Sequence, residues 1–326
     1  PLFSGGHAQT LAAYAWPRRF RYQPVSDEER LFEVAADSKV LAHCRWQPDT
    51  VGHPTIVLWH GIEGSSSSVY MLAMAEKAFR AGFNVLRLNL RNCGGTERLT
   101  PTLYHGGLTE DLRAVVGELI ERDRLAQIFL VGFSLGGNMV LKLAGEYGNS
   151  PPKEIVGVCA VSPSVDLNAS ADCIEMRSNR LYHWDFLRRL KKRILNKHKM
   201  LPEVYDVSGL ERIRRLRDFD NRFTAIVHGF ENSADYYYRA SALRVIAQIT
   251  IPTVIIHARD DPFIPFAPLL DSAVTENLNI LLHATERGGH VAVISERPFA
   301  DEPDRFWAEN QVVTFCRLAS ETGGEF

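Results

Sequence analysis

The chain has 326 residues, of which 45% are hydrophobic and 23% charged, a balance typical of a folded globular protein. Lys and Arg number 37 against 39 Asp and Glu, so the net charge of -2 argues against a nucleic-acid partner. The five cysteines are scattered and lack the spacing of a metal site. This excludes a zinc ribbon or a disulfide scaffold and favours a reducing compartment.

Short apolar runs alternate with helical patterns in the first half of the chain, as is typical of βαβ units in a mostly parallel α/β sheet. We predict strands at Leu31–Val34, Val40–Trp46, Thr55–His60, Asn84–Asn89, Ile128–Phe133 and Ile155–Ser162, the first two forming an antiparallel hairpin. Helices are predicted at Val69–Ala81, Thr109–Leu125 and Leu135–Tyr147. Several strands are continuously apolar, so we expect helices on both faces of the sheet.

After the sixth strand the pattern changes. Residues 163–250 are charged and helical, and they predict a helical cap inserted into the core. Strands at Thr253–Ala258 and Ile280–Thr285 and a closing helix near Pro303–Leu318 follow. We therefore divide the chain into a core, residues 1–162 and 251–326, and a cap, residues 163–250.

A serine lies between glycines where a predicted strand meets a predicted helix, in Gly132-Phe133-Ser134-Leu135-Gly136. A sharp turn there requires small neighbours two residues away on each side and exposes the serine hydroxyl above the sheet. Ser134 is therefore our predicted nucleophile. The alternative is a glycine-rich helix entry with an incidental serine.

A nucleophilic serine needs a base and an acid that orients the base. Downstream, in the order serine, acid, histidine, lie Asp260-Asp261 after one strand and His290 in a glycine-flanked loop after the next. Either aspartate could point inward. We predict Asp261, because the segment Pro262–Pro265 resembles the Asp-x-x-x-Pro continuation common at this position.

The end of the third strand, Trp59-His60-Gly61-Ile62-Glu63-Gly64, resembles a loop that binds a developing oxyanion through backbone N–H groups. We assign the oxyanion hole to the amides of Ile62 and Leu135. For His60 we expect a structural role at this turn, and for Glu63 a role as cap of the following helix.

These segments together resemble the α/β-hydrolase superfamily and, within it, the YheT-like (ABHD-type) predicted hydrolases. The more specific matches are Gly6-His7-Ala8-Gln9-Thr10, Asn89-Leu90-Arg91-Asn92-Cys93-Gly94-Gly95, Leu103-Tyr104-His105-Gly106-Gly107 and Asp235-Tyr236-Tyr237-Tyr238. The resemblance spans nearly the whole chain. It implies an α/β-hydrolase fold and hydrolysis of carboxylic esters, with lipid or phospholipid esters among the family's substrates.

Aromatic residues in the last part of the predicted cap have two interpretations. Tyr236, Tyr237 and Tyr238 are expected to be core and interface aromatics, but with Phe230 they could also wall an acyl pocket. His7, Arg91 and His105 are read as structural, because no step of the mechanism needs them.

The predicted cap contains a basic amphipathic helix, Trp184–Leu195, with apolar residues at Leu187, Leu190, Ile194 and Leu195. Its outer face is expected to carry Arg188, Arg189, Lys191, Lys192 and Arg193. This face is either a solvated surface balancing an acidic body or a contact for an anionic membrane or anionic ester. We expect a cytoplasmic protein. If the basic face binds anionic lipids, the protein would also contact the membrane surface.

The sequence thus predicts a serine esterase of carboxylesterase or lipase type that uses no cofactor and no metal. Its substrate is a small-molecule or lipid ester. The alternatives are acyl transfer or other chemistry by the same residues, and an idle fold that serves as a ligand receptor or scaffold.

Overall fold

The computed structural model describes residues 5–16, 18, 27–291, 293–298 and 302–322. The strands are β1 (Glu28–Ala35), β2 (Ser38–Arg45), β3 (Thr55–Trp59), β4 (Asn84–Leu88), β5 (Ile128–Phe133), β6 (Ile155–Val161), β7 (Thr253–Ala258) and β8 (Ile280–Thr285). The helices are α1 (Gly6–Ala15), α2 (Val69–Arg80), α3 (Thr109–Glu121), α4 (Leu135–Tyr147), α5 (Leu167–Ile174), α6 (Arg180–Met200), α7 (Leu216–Phe219), α8 (Ala225–Val227), α9 (Ser233–Ala240), α10 (Ser272–Thr275) and α11 (Trp307–Glu321). A π-helical turn, Asp220–Thr224, joins α7 to α8.

The eight strands form one sheet in the order β1-β2-β4-β3-β5-β6-β7-β8. β1 and β2 form the expected antiparallel hairpin, and β2 is antiparallel to β4. From β4 to β8 all neighbours are parallel, which confirms the predicted mostly parallel sheet. The carboxyl ends of β3, β5, β7 and β8 therefore meet at one edge, where the segments singled out in the sequence begin.

Helices cover both faces of the sheet. Successive strand residues point to opposite faces. Thus Val57 of β3 packs in one cluster with Met139 of α4, whereas Ile56 packs in another with Met71 of α2 and Val312 of α11. The continuous apolar runs of the inner strands are explained by this double burial.

The structure differs from the predicted elements in one additional helix and in the ends of two others. Helix α1 was not predicted. Helix α3 ends at Glu121 rather than near Leu125, because Arg124 adopts a positive φ and the amide of Leu125 donates to the Leu119 carbonyl. The closing helix begins at Trp307 rather than near Pro303, because Phe306 first forms a β-bridge to Ile294.

Between β6 and β7 the chain contains helices and no strand. Leu187, Leu190 and Ile194 of α6 form a separate apolar cluster with Tyr205 and others. Helix α9 instead packs within the larger cluster of the sheet, through side chains such as Tyr236. The cap boundaries at residues 163 and 250 stay a prediction.

The basic face expected on α6 lies only partly at the surface. Arg193 was expected to point outward, and this was wrong: it pairs with Glu63 in the interior. Lys191 is half-buried and donates to the carbonyl of Ile213, while Leu195, expected on the apolar face, is exposed. The pattern within one helix does not reveal which acidic group the fold brings to its side.

Among the described residues, no helix is both long and apolar enough to cross a membrane.

Candidate active site

Ser134 occupies the turn between β5 and α4 with φ 54° and ψ −116°. This left-handed conformation is unfavourable for a residue with a side chain. The flanking glycines are required by space: a Cβ on Gly132 would lie 2.2 Å from the Gly136 carbonyl oxygen, and one on Gly136 would lie 2.5 Å from that of Trp59. The Gly-x-Ser-x-Gly pattern is therefore a consequence of this turn.

Asp261 and His290 are in direct contact. His290 Nδ1 lies 2.7 Å from Asp261 Oδ2, and the side chain of Asp261 is fully buried. The second carboxylate oxygen accepts the backbone N–H groups of Phe263 and Ile264 at 2.8 and 3.1 Å. The carboxylate is thus fixed on one side by backbone donors and holds the imidazole on the other.

Asp260 has a different set of partners. Its Oδ1 atom accepts the amides of Gly288 and Gly289 at 2.8 and 2.9 Å. Asp260 therefore fixes the loop that carries His290. Among the described residues, the structure shows no hydrogen bond between Asp260 and the imidazole of His290.

Two further residues support the His290 loop. The amide of His290 donates to Thr10 Oγ1 at 2.8 Å, and the amide of Val291 donates to Ser162 Oγ at 3.0 Å. Thr10 belongs to α1. This helix lies so close to the loop containing Asp260 that a Cβ on Gly6 would be 1.8 Å from the Asp260 carbonyl oxygen. The sequence shows the Gly6–Thr10 segment as a match to the family. Its contact with the His290 loop joins residues 280 positions apart and follows only from the folding of the chain.

The segment of residues 60–64, which we call the oxyanion loop for its predicted role, is held by two tyrosine hydroxyls. Gly61 donates its N–H to Tyr70 at 3.0 Å and Glu63 donates its N–H to Tyr104 at 2.9 Å. Between them, the amide of Ile62 makes no hydrogen bond to any described residue. Leu135 is the first residue of α4, where helix geometry also leaves the N–H free.

His60 is completely buried and braces the same loop. Its Nε2 atom accepts the N–H of Leu90 at 3.1 Å, so its Nδ1 carries the proton donated to the Gly61 carbonyl at 2.8 Å. Burial lowers the pKa of His60 to about 4. The ring is therefore neutral near pH 7 and fully used by backbone partners, as expected for a structural histidine.

Ser134 and His290 border one cavity of about 90 Å³. Its remaining wall is mostly apolar and comes from residues inside and outside the segment 163–250, including Ile62, Leu135, Leu167, Ile174, Leu190, Leu216, Phe219 and Phe263. An apolar cavity with a few polar side chains on its wall is the usual form of a small-molecule site.

A family model described as the alpha/beta hydrolase fold matches residues 54–296. The chain belongs to the α/β-hydrolase family. Among curated proteins, "Putative esterase YheT" of Escherichia coli (strain K12) is 32% identical over 299 residues, covering 90% of this chain and 85% of that protein. Phospholipase ABHD3 of Mus musculus is 30% identical, and the match covers 76% of this chain and 60% of that protein. Monoacylglycerol lipase of Saccharomyces cerevisiae is 31% identical, covering 81% and 59%.

The chain thus spans most of YheT but about 60% of the other two relatives. Relatives of esterase, lipase and phospholipase type support a hydrolase activity for this α/β hydrolase. Among solved structures, the Pyrococcus furiosus esterase Pf2001 aligns with a TM-score of 0.54 at 17% identity, covering 94% of this chain and 96% of that one. At this identity the match supports the fold alone.

The aromatic residues predicted to wall a pocket have different positions. Tyr236 and Tyr237 border the cavity. Phe230 is not part of the cavity wall; its ring packs against Tyr236 and His105, at 5.2 and 5.3 Å between ring centroids. The hydroxyl of Tyr236 accepts the Gly106 amide at 2.9 Å, which fixes the Tyr104–Gly107 segment against α9.

An acidic residue that the sequence analysis passed over also borders the cavity. Asp220, in the π-helical turn, accepts the hydroxyls of Thr224 and Tyr237, both at 2.6 Å. Burial raises its pKa to about 6, because these hydrogen bonds only partly offset desolvation. No motif marks this residue in the sequence.

Four of the five cysteines are buried and the fifth, Cys173, is half-buried. All five are free. Burial raises the pKa of Cys93 to about 12 and that of Cys173 above its ordinary value, and a protonated thiol is a poor nucleophile. Among the residues that the structure describes, no three His, Cys, Asp or Glu side chains form a group that could hold a metal ion.

Proposed function

We propose that this α/β hydrolase is a serine hydrolase that cleaves carboxylic esters through an acyl-enzyme. Ser134 is the nucleophile, His290 the general base, Asp261 the residue that orients His290, and the amides of Ile62 and Leu135 the oxyanion hole. The observation that carries the proposal is the 2.7 Å contact between His290 and Asp261 beside a serine held in a strained turn.

In the first half-reaction, Ser134 Oγ attacks the ester carbonyl carbon while His290 Nε2 accepts its proton. Nε2 is available for this step because Nδ1 donates to the carboxylate of Asp261. The carbonyl oxygen becomes an oxyanion and receives the two backbone N–H groups. The C–O bond to the alcohol then breaks, and the alcohol leaves with the proton from His290.

In the second half-reaction a water molecule gives a proton to His290 and attacks the acyl carbon. The same two amides stabilise the second oxyanion, and Ser134 leaves with the proton returned by His290. An alcohol in place of water would give acyl transfer through the same steps.

The substrate we propose is an ester with an apolar acyl group, because the cavity beside Ser134 has a mostly apolar wall. The relatives, an esterase, a phospholipase and a monoacylglycerol lipase, support an ester substrate, and two of them act on lipids by name. The test is hydrolysis of p-nitrophenyl esters of increasing acyl length together with phospholipid and acylglycerol panels. Turnover by the wild type and none by Ser134→Ala is expected; hydrolysis of no ester, or equal rates for both, would contradict the proposal.

We further propose that the exposed stripe of α6 contacts anionic membrane surfaces. Leu181, Trp184, Arg188, Lys192 and Leu195 recur every three or four residues, and all are exposed. Leu181 and Trp184 are 72% and 63% exposed, and the Arg188 guanidinium lies 5.4 Å from the Trp184 ring. A stripe that mixes tryptophan, leucine and basic residues suits the boundary between lipid headgroups and acyl chains.

A further inference from the structure

We propose that the ion pair between Arg193 of α6 and Glu63 makes the oxyanion hole depend on the cap being closed, and that Glu63 is a positioning residue for the Ile62 amide. Because that amide matters only in the serine hydrolase proposed above, this coupling rests on that function. Arg193 also borders the cavity that Ser134 and His290 share, and its guanidinium there pairs with Glu63, so neither residue needs to touch the reacting atoms.

The ion pair joins the cap to the oxyanion loop. Arg193 Nε and Nη2 donate to the two carboxylate oxygens of Glu63 at 2.9 and 3.0 Å. The side chains are 11% and 4% exposed, so both charges have lost nearly all their water. Removing one partner of such a pair is strongly unfavourable, because the other charge stays buried and uncompensated.

Tyr104 connects this ion pair to the backbone of the loop. Its hydroxyl donates to Glu63 Oε1 at 2.9 Å and accepts the Glu63 amide at the same distance. Glu63 itself has φ 54°, a left-handed conformation that a residue with a side chain adopts only when held there. The carboxylate contacts therefore hold the backbone of the residue that directly follows the Ile62 amide.

Helix α6 is fixed to the core on the same side. One turn after Arg193, Lys197 donates its ammonium to the carbonyls of Glu97 and Thr100. Tyr205, after the end of α6, donates its hydroxyl to the Pro101 carbonyl at 2.8 Å. Residues 97–104 thus form one junction with α6 and the oxyanion loop.

The cavity beside Ser134 is small for a ligand pocket. Its volume of about 90 Å³ is well below the 300 Å³ or more of most ligand pockets, so admission of a larger ester moves the cap. A movement that separates Arg193 from Glu63 releases the carboxylate and lets the strained backbone at Glu63 relax. The Ile62 amide then leaves its position, and it returns when the cap closes over the bound ester.

The test compares Arg193→Met, Glu63→Gln and the double variant with the wild type. The double variant leaves neither charge unpaired, which limits the loss of stability. Arg215→Met is the control for losing an arginine–glutamate contact that does not reach the oxyanion loop: Arg215 contacts Glu175 through two guanidinium nitrogens, at 2.8 and 2.6 Å, and its side chain is 58% exposed. Each protein is assayed for kcat and KM on a p-nitrophenyl ester and for affinity for a trifluoromethyl ketone, which forms a tetrahedral oxyanion with serine.

We expect each of the three variants to lose about 10- to 100-fold in kcat, with KM nearly unchanged, because the loss is confined to the oxyanion. Ketone affinity should fall by the same factor. The double variant should be no worse than the single ones, because both changes break one contact. Arg215→Met should match the wild type in all three measurements.

Hydrogen exchange tests the coupling without any substrate. Backbone exchange in a peptide covering residues 61–66 should accelerate in Arg193→Met and stay at the wild-type rate in Arg215→Met. Unchanged exchange in Arg193→Met, or a loss of kcat without a matching loss of ketone affinity, would overturn the proposal. A wild type that hydrolyses no ester would instead overturn the proposed function, and the exchange result would still decide the coupling.

Discussion

The carboxylate of Asp261 joins the backbone of its own loop to the imidazole of His290. One oxygen accepts the amides of Phe263 and Ile264, and the other lies 2.7 Å from His290 Nδ1. A group held on both sides in this way can orient the imidazole and stabilise it when it becomes charged. Asp260, its neighbour, instead accepts the amides of Gly288 and Gly289.

Asp261→Asn should therefore lower kcat by about four orders of magnitude, because the amide favours the wrong imidazole tautomer. Asp260→Asn should cost much less, since its side-chain oxygen can still accept the two glycine amides. Steady-state kinetics on one p-nitrophenyl ester compares the two variants. A larger loss in Asp260→Asn would transfer the orienting role to that residue.

Replacing Ser134 by glycine or by alanine separates chemistry from strain. Both variants should lack turnover, but only glycine adopts φ 54° without cost. We expect Ser134→Gly to be more stable than Ser134→Ala by about 1 kcal/mol in the free energy of unfolding, measured by urea denaturation. Equal stability of the two variants would show that the turn is unstrained.

Asp220 predicts a pH dependence of stability. Its pKa in the folded protein is about 6, against an ordinary value of 3.8, so between these values the folded chain holds a proton that the unfolded chain has lost. Its contribution to stability is present at low pH and is lost as the pH rises through 6. The free energy of unfolding of the wild type, relative to that of Asp220→Asn, should fall by up to about 3 kcal/mol between pH 4 and pH 7. A difference that does not change with pH would contradict this.

The exposed stripe of α6 predicts salt-dependent binding to anionic vesicles. Each cation near the surface contributes about 1 kcal/mol, and screening acts within about 8 Å at physiological salt. Binding in a sedimentation assay should fall with salt and in Trp184→Ala and Arg188→Gln/Lys192→Gln. Arg215→Gln, an exposed arginine outside the stripe, is the control. Absence of binding at low salt would leave the stripe as solvated surface.

The fold and its sheet could be predicted from the sequence, because each inner strand is an apolar run bounded by a turn and a helix pattern. The strand Ile128–Phe133 and the helix Leu135–Tyr147 have the bounds expected for them. These elements depend mainly on local periodicity, which a sequence displays directly.

The contacts between distant segments could not be predicted in the same way. Arg193 looked like one more cation on a helix face, and Glu63 like a helix cap, until folding brought them together across 130 residues. Thr10 reaches the amide of His290 across 280 residues. Only the packing of whole elements determines such pairs.

In the proposed mechanism Ser134 forms a covalent acyl-enzyme, with His290 as its base. The most direct measurement is mass spectrometry of the protein after reaction with a fluorophosphonate, which phosphonylates an activated serine. We expect one adduct, located on the peptide containing Ser134, and none in His290→Ala over the same time. An adduct on another residue, or none in the wild-type protein, would contradict it.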